Sequence, residues 1–224
     1  MRVILSFMML MFIKTFSKLF YRLELKWLSD YGQDFDKIRL IIFLNHTSLY
    51  EPLFVAAAPN WFLYRLARKM VAPGADKTLN RPIVGFFWKL MGPGMVSISR
   101  KRDKTWYEFL EAIQRRSVIV IAPEGRMKRK SGLDSEGKPM SIRAGVAEIF
   151  EELNEGRLLI AYSGGLHHVQ HPGEHFPRLF KTIKLNLEAI EIPEYKAQFS
   201  EDPKLRRKEF IADLHNRLAQ NTPE

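Results

Sequence analysis

The rhythm of apolar and polar positions changes several times along this 224-residue chain, and the changes separate helices from strands. Residues 40–44 (LIIFL) are an unbroken apolar run that reads as a buried strand; it stops at Asn45 and His46, and a helix is expected to begin at Ser48. Residues 82–91 read as a short apolar helix halted by Gly92-Pro93-Gly94. Residues 95–99 alternate like a strand that delivers Arg100, Lys101 and Arg102 at its end, and residues 106–116 carry an amphipathic helical pattern. Two further runs, 117–122 (SVIVIA) and 157–162, have the continuous apolar character of strands covered on both faces. Ser141 opens an expected helix over 142–153 with Arg143 in its first turn; residues 180–192 form a long alternating strand, and 205–219 close the chain as an amphipathic helix. The aromatic and basic segment 61–68 has no decided type. Alternating strands and helices predict an α/β sandwich whose largely parallel central sheet is flanked by helices. Ligands in such sheets sit beyond the carboxyl ends of the strands, where His46, Arg100 and Pro123-Glu124-Gly125-Arg126 all fall.

The first thirty residues follow another pattern. Residues 3–13 are apolar apart from Ser6, shorter than the roughly 20 residues of a spanning helix. Lys14, Lys18, Arg22 and Lys26 then recur every four residues, while Phe12, Phe16, Leu19, Phe20, Leu23 and Trp27 fall on the opposite side of a helix. That is the composition of an amphipathic helix lying in a membrane interface. An ordinary helix packing its aromatic face on the domain, and a signal peptide, which would need a small-residue cleavage site that is missing, are the competing readings. The expected division is a membrane-associating helix over 1–30 and one globular domain over 31–224.

Composition narrows the chemistry. Cysteine is absent, which excludes disulfides, thiolate nucleophiles and Cys-rich zinc sites. A net charge of +10 asks for an anionic partner. A nucleic acid is disfavoured, because no RNA-recognition or helix-turn-helix signature is present and the aromatics lie in core-like runs; an anionic membrane surface suits the N-terminal helix.

Several residues carry candidate chemistry. Ser48-Leu49-Tyr50-Glu51 has capping-box spacing, which would use Glu51 locally. The same first turn points back toward His46, so Glu51 equally well orients the imidazole and leaves its other nitrogen free as a base. The run Arg126-Met127-Lys128-Arg129-Lys130 is either a solvated surface or a phosphate clamp. His167, His168, His171 and His175 have metal-like spacing, but Pro172 and Gly173 interrupt it and Glu174 is the sole carboxylate among them, so no metal site is expected. Ser163-Gly164-Gly165 lacks the G-x-S-x-G pattern and reads as a turn.

Taken in order, Asn45-His46-Thr47-Ser48 with Glu51, the glycine-led strand Gly94 to Arg100, Ala122-Pro123-Glu124-Gly125-Arg126 and the apolar strand 158–161 resemble the four sequence blocks of the glycerolipid (lysophospholipid) acyltransferases, the PlsC-like 1-acylglycerol-3-phosphate acyltransferase family, over residues 35–165. The resemblance implies acyl transfer from acyl-CoA or acyl-carrier protein to a hydroxyl of a lyso-lipid acceptor, with no metal or bound cofactor, at a membrane, by an enzyme expected to be monotopic on the cytoplasmic face of a bacterial inner membrane. His46 would be the general base and Glu51 its orienting acid; Arg100, Glu124, Gly125 and Arg126 would surround the acceptor. Glu51 stands where most members have Asp. The lipid A acyltransferases share His-x4-Glu yet lack the Pro-Glu-Gly block. Arg126-Met127-Lys128 replaces the family's Thr-Arg-Ser, which leaves 1-acylglycerol 3-phosphate, a lyso-ornithine lipid or a lipid A-type acceptor open. A non-catalytic lipid-binding module of the same fold is the further alternative.

Overall fold

The computed structural model describes residues 1–29, 35–92, 94–99, 103–115, 118–174 and 176–223. The chain runs α1 (Arg2–Phe20), β1 (Arg22–Trp27), β2 (Ile38–Leu44), a 3₁₀ helix (Glu51–Ala57), α2 (Asn60–Lys69), β3 (Met70–Ala75), α3 (Asp76–Leu79), α4 (Pro82–Met91) and β4 (Met95–Ile98). It continues through α5 (Lys104–Arg115), β5 (Val118–Ile121), α6 (Gly145–Glu152), β6 (Arg157–Gly164), α7 (Leu166–Val169), β7 (Thr182–Glu191), α8 (Ile192–Lys196) and α9 (Pro203–Asn221).

Among the described residues, seven strands form one sheet in the order β1-β7-β6-β2-β5-β3-β4. β6, β2, β5, β3 and β4 are mutually parallel; β7 pairs antiparallel with β6, and β1 pairs parallel with β7. Side chains alternate across the sheet and feed two apolar layers. Ile41, Leu159, Leu185 and Leu187 join α1, the 3₁₀ helix and α2 on one side. Leu40, Ile42, Ile119 and Ile160 join α5, α6 and α9 on the other. A register shift between Ile38 and Leu40 puts these two even-numbered residues in opposite layers. The result is the expected α/β sandwich, and segment 61–68 resolves as α2. Gly94 is needed where β4 begins, because a Cβ there would meet the Met70 carbonyl oxygen at 1.9 Å.

Three local expectations change. The N-terminal helix stops at Phe20, and residues 22–27 are an edge strand. Basic residues four apart at Arg22 and Lys26 fit a helix, but Arg-Leu-Glu-Leu-Lys-Trp also alternates with period two, and pairing with β7 decides between them. The helix expected from Ser141 begins only at Gly145, so Arg143 precedes it. The third change concerns the faces of α1. Ser6, Leu10, Ile13 and Ser17 form its buried stripe, with Ser6 Oγ donating to the Met91 carbonyl at 2.7 Å. Lys14 turns into the protein, donating to the Ala58 carbonyl (2.6 Å) and Asn60 Oδ1 (2.7 Å). The residues left in solvent include a large apolar set, Ile4, Met8, Phe12 and Leu19, each more than 60% exposed, beside Lys18.

Candidate active site

β2, β5 and β6 are adjacent and parallel, so their carboxyl ends open on one edge of the sheet. The chain leaves β2 at Leu44 and turns through Asn45, which adopts a left-handed conformation (φ 63°) that Asn tolerates better than most residues. Neighbours fasten this turn from three directions. Both Glu124 carboxylate oxygens accept backbone amides, from Asn45 at 3.0 Å and His46 at 2.8 Å. Asn45 Nδ2 donates to the Ser163 carbonyl at the end of β6 (2.7 Å), and the Lys128 amide donates to the His46 carbonyl (2.8 Å).

The turn brings His46 Nδ1 to 2.7 Å from Glu51 Oε1. The capping box does not form: the 3₁₀ helix has no side-chain cap, and Ser48 Oγ lies 3.4 Å from the Tyr50 amide instead. With a carboxylate as its acceptor, Nδ1 carries the proton and Nε2 presents its lone pair. No hydrogen bond to Nε2 is formed among the described residues. Burial opposes the imidazolium here, but the Glu51 carboxylate, with Glu124 behind it, outweighs burial and holds the His46 pKa above the ordinary imidazole value. Burial pushes the Glu124 carboxyl upward, against the two amides that favour its charged form. The geometry is that of a base–orienter pair open to a proton-bearing substrate.

Gly125 turns the chain out of the Glu124 position with φ 63°, and Arg143 Cγ lies 3.8 Å from where a Cβ would stand on it. The Arg126 guanidinium is held by the carboxylates of Asp134 and Glu136 (2.9 Å to the latter). The Lys138 amide, together with Arg126 and the Glu136 amide, draws the Asp134 carboxyl down to about 2. Glu124 and Arg126 are thus engaged with the protein, whereas Lys128 and the exposed Arg143 flank the same turn. Arg100 lies outside the described residues, as does His175. Sequence reasoning did not single out Asn45 or Asp134 as anchors; the signal for Asp134 was the Asp-Ser-Glu-Gly turn sequence that it closes. His167 and His168 sit on α7 with ring centroids 3.9 Å apart, and His171 lies 6.0 Å from His167.

Comparison with known proteins places this geometry in a family. In fold, the chain is similar to the crystal structure of the 1-acyl-sn-glycerophosphate (LPA) acyltransferase PlsC from Thermotoga maritima, with a TM-score of 0.57 and 16% identity over 96% of this chain and 81% of that one. No significant match is found among curated protein sequences. The sequence profile of the Acyltransferase family matches residues 28–163, which hold the His46 turn, Glu51, β5 with its Glu124 loop and most of β6: the chain belongs to the Acyltransferase family and is an acyltransferase.

Proposed function

We propose that this acyltransferase moves a fatty acyl group from a thioester, acyl-CoA or acyl-carrier protein, to a hydroxyl of a lysophospholipid-type acceptor, by default 1-acylglycerol 3-phosphate. The observation that carries the reading is the His46–Glu51 contact of 2.7 Å, with Nε2 left open at the carboxyl edge of the sheet. Nε2 takes the acceptor's hydroxyl proton as the oxygen attacks the thioester carbonyl carbon. The resulting imidazolium, stabilised by Glu51, returns the proton to the thiolate when the C–S bond breaks. A base of this kind is worth about 10² to 10⁴ in rate.

The similar solved structure is that of an LPA acyltransferase, which supports a phosphate-bearing acceptor. For its head group, the cations near the His46–Glu124 turn that form no salt bridge among the described residues are Lys128 and Arg143, joined by Arg100 on the strength of the sequence resemblance. Glu124 and Arg126 hold the turn and the following hairpin in place.

In this reading the enzyme is monotopic, and α1 is its membrane contact. The helix is long and apolar enough to cross a bilayer. Yet its buried stripe runs from Ser6 to Ser17 along the domain, and a helix attached over that length does not leave a charged domain to span. It lies in the interface with its apolar outer face toward the acyl chains.

The test is thiol release from acyl-CoA, and separately from acyl-carrier protein, with lyso-phospholipids, lyso-ornithine lipid and a lipid A precursor on vesicles. Acceptor-dependent release that falls by at least about 10² in His46→Ala, with unchanged circular dichroism, is expected. A fully active His46→Ala enzyme overturns the mechanism.

A further inference from the structure

Beside the His46 turn lies a cleft of about 410 Å³ that the dyad does not use. One wall is Arg129, Lys130 and Ser131; the other is the segment 171–174. Both walls are tied to the reaction centre. Arg129 follows Lys128, whose amide holds the His46 carbonyl, and His171 follows α7 at the end of β6, the neighbour of β2.

Charge in this region is unbalanced. Arg126 is spent on Asp134 and Glu136, Lys138 on Glu136, and Arg178 on Glu174. Among the described residues, Lys128, Arg129 and Lys130 form no salt bridge. Glu174, the one carboxylate in the cleft, is engaged by Arg178 and by the His171 amide at 2.9 Å. The rings of His167, His168 and His171 extend the basic surface. Burial, together with cations including Lys128 beside His167 and Lys130 beside His171, holds these two imidazoles below their ordinary pKa. A bound anion would relieve that repulsion.

Distance decides which anion. The phosphate of a glycerol phosphate acceptor is attached one carbon from the reacting carbon, so it stays close to the hydroxyl that His46 meets, on the side where the Lys128 amide holds the His46 carbonyl. Arg129 and Lys130 are one and two residues further out, up to about 4 and 8 Å of chain. A cleft lined by these later residues suits a phosphate on a longer arm. The thioester donor has one: its sulfur ends a pantetheine chain whose other end carries phosphate, as the diphosphate and ribose phosphate of CoA or the phosphodiester of a carrier protein.

Building on the acyl-transfer reading above, we propose that the cleft between Arg129, Lys130 and His171 binds the phosphate groups at the far end of the donor's pantetheine arm. Arg and Lys side chains on one wall grip phosphate oxygens, and the His171 wall closes on the other side.

The experiment compares wild type with the double variant Arg129→Gln/Lys130→Gln, whose side chains are exposed and form no hydrogen bond or salt bridge among the described residues. Calorimetry at low salt uses CoA, 3′-dephospho-CoA and pantetheine as probes. Wild type should bind CoA more tightly than pantetheine, and the variant should lose roughly tenfold to hundredfold in CoA affinity with pantetheine unchanged. In turnover, the KM for acyl-CoA should rise while the KM for the acceptor and the rate with acyl-pantetheine stay the same. Two results overturn the proposal: unchanged CoA affinity, or a rise confined to the acceptor KM, which would give the cleft to the head group. Failure of the acyl-transfer reading is separately visible, as CoA binding by a wild-type enzyme that transfers nothing to any acceptor.

Discussion

Glu124→Gln separates two roles for the carboxylate that sits in the Pro-Glu-Gly block. In the structure its oxygens accept the amides of Asn45 and His46 at 3.0 and 2.8 Å, so it holds the turn that carries His46, the proposed base. Hydrogen bonds to charged groups contribute about 1.5–3 kcal/mol each, and an unsatisfied buried donor costs about 1–3 kcal/mol. Gln keeps one acceptor for one amide and turns an NH₂ toward the other. Against that loss stands a gain, because burial already disfavours the charged Glu124 and Gln is neutral. The net destabilisation is expected near 1–2 kcal/mol, readable as a lower urea midpoint with unchanged slope. The larger effect falls on chemistry: a misplacement of His46 by about 1 Å costs on the order of 10² in rate. Initial rates against acceptor concentration at saturating donor should therefore show kcat falling by about 10 to 10² with the acceptor KM nearly unchanged. A raised acceptor KM at intact kcat would refute the positioning role and give Glu124 to acceptor binding.

Two further perturbations follow from the same geometry. Glu51→Gln offers an NH₂ to Nδ1 and traps the tautomer with the proton on Nε2, so the rate should fall by about 10⁴, the size of loss known for triads with the wrong tautomer. Because Glu51 holds the His46 pKa up, its removal lowers that pKa, and whatever activity survives should keep its acid limb to lower pH than wild type; a limb that moves upward, or a near-normal rate, contradicts the dyad. At the membrane, replacing the exposed Ile4, Met8 and Phe12 by Gln removes apolar surface worth roughly 1.5–3 kcal/mol per fully buried side chain, so co-sedimentation with anionic vesicles should weaken by at least about 10² while the thermal midpoint holds. Unchanged sedimentation would move the contact away from α1.

What was legible in the chain was local periodicity. The strands at 40–44, 95–99, 117–122, 157–162 and 180–192 come from apolar runs or alternation strong enough to survive tertiary context, and each lies within two residues of the observed ends. β1 was misread because a four-residue spacing of basic residues is also a multiple of two; only β7, some 160 residues away, supplies the pairing that makes 22–27 a strand. On α1 the expected Phe/Leu face is open at Phe12 and Leu19, whereas Lys14 of the basic face turns into the protein. Helical periodicity sorts side chains into faces but does not say which face is covered, and here a stripe beginning and ending in serine is buried while Ile4, Met8 and Phe12 face out. Ser6 can afford burial because the Met91 carbonyl accepts its hydroxyl.

The site shows the same limit at longer range. Topology alone carries the segments after β2, β5 and β6 to one edge of the sheet, so strand assignment was enough to group His46 with Glu124 and Arg126. It was not enough to tell which of them faces a ligand. That depends on hydrogen bonds spanning 78 residues from Glu124 to the His46 amide, 118 from Asn45 to Ser163, and 8 from Arg126 to Asp134. In the structure Glu124 accepts two backbone amides, and one nitrogen of the Arg126 guanidinium meets Asp134 and Glu136. The basic run 126–130 is consequently two things at once. Its first residue closes a hairpin, while Lys128 follows the His46 turn and Arg129 and Lys130 line the neighbouring cleft. In the proposed reading, Lys128 beside the His46 turn faces the acceptor's phosphate and the cleft lined by Arg129 and Lys130 faces the donor's.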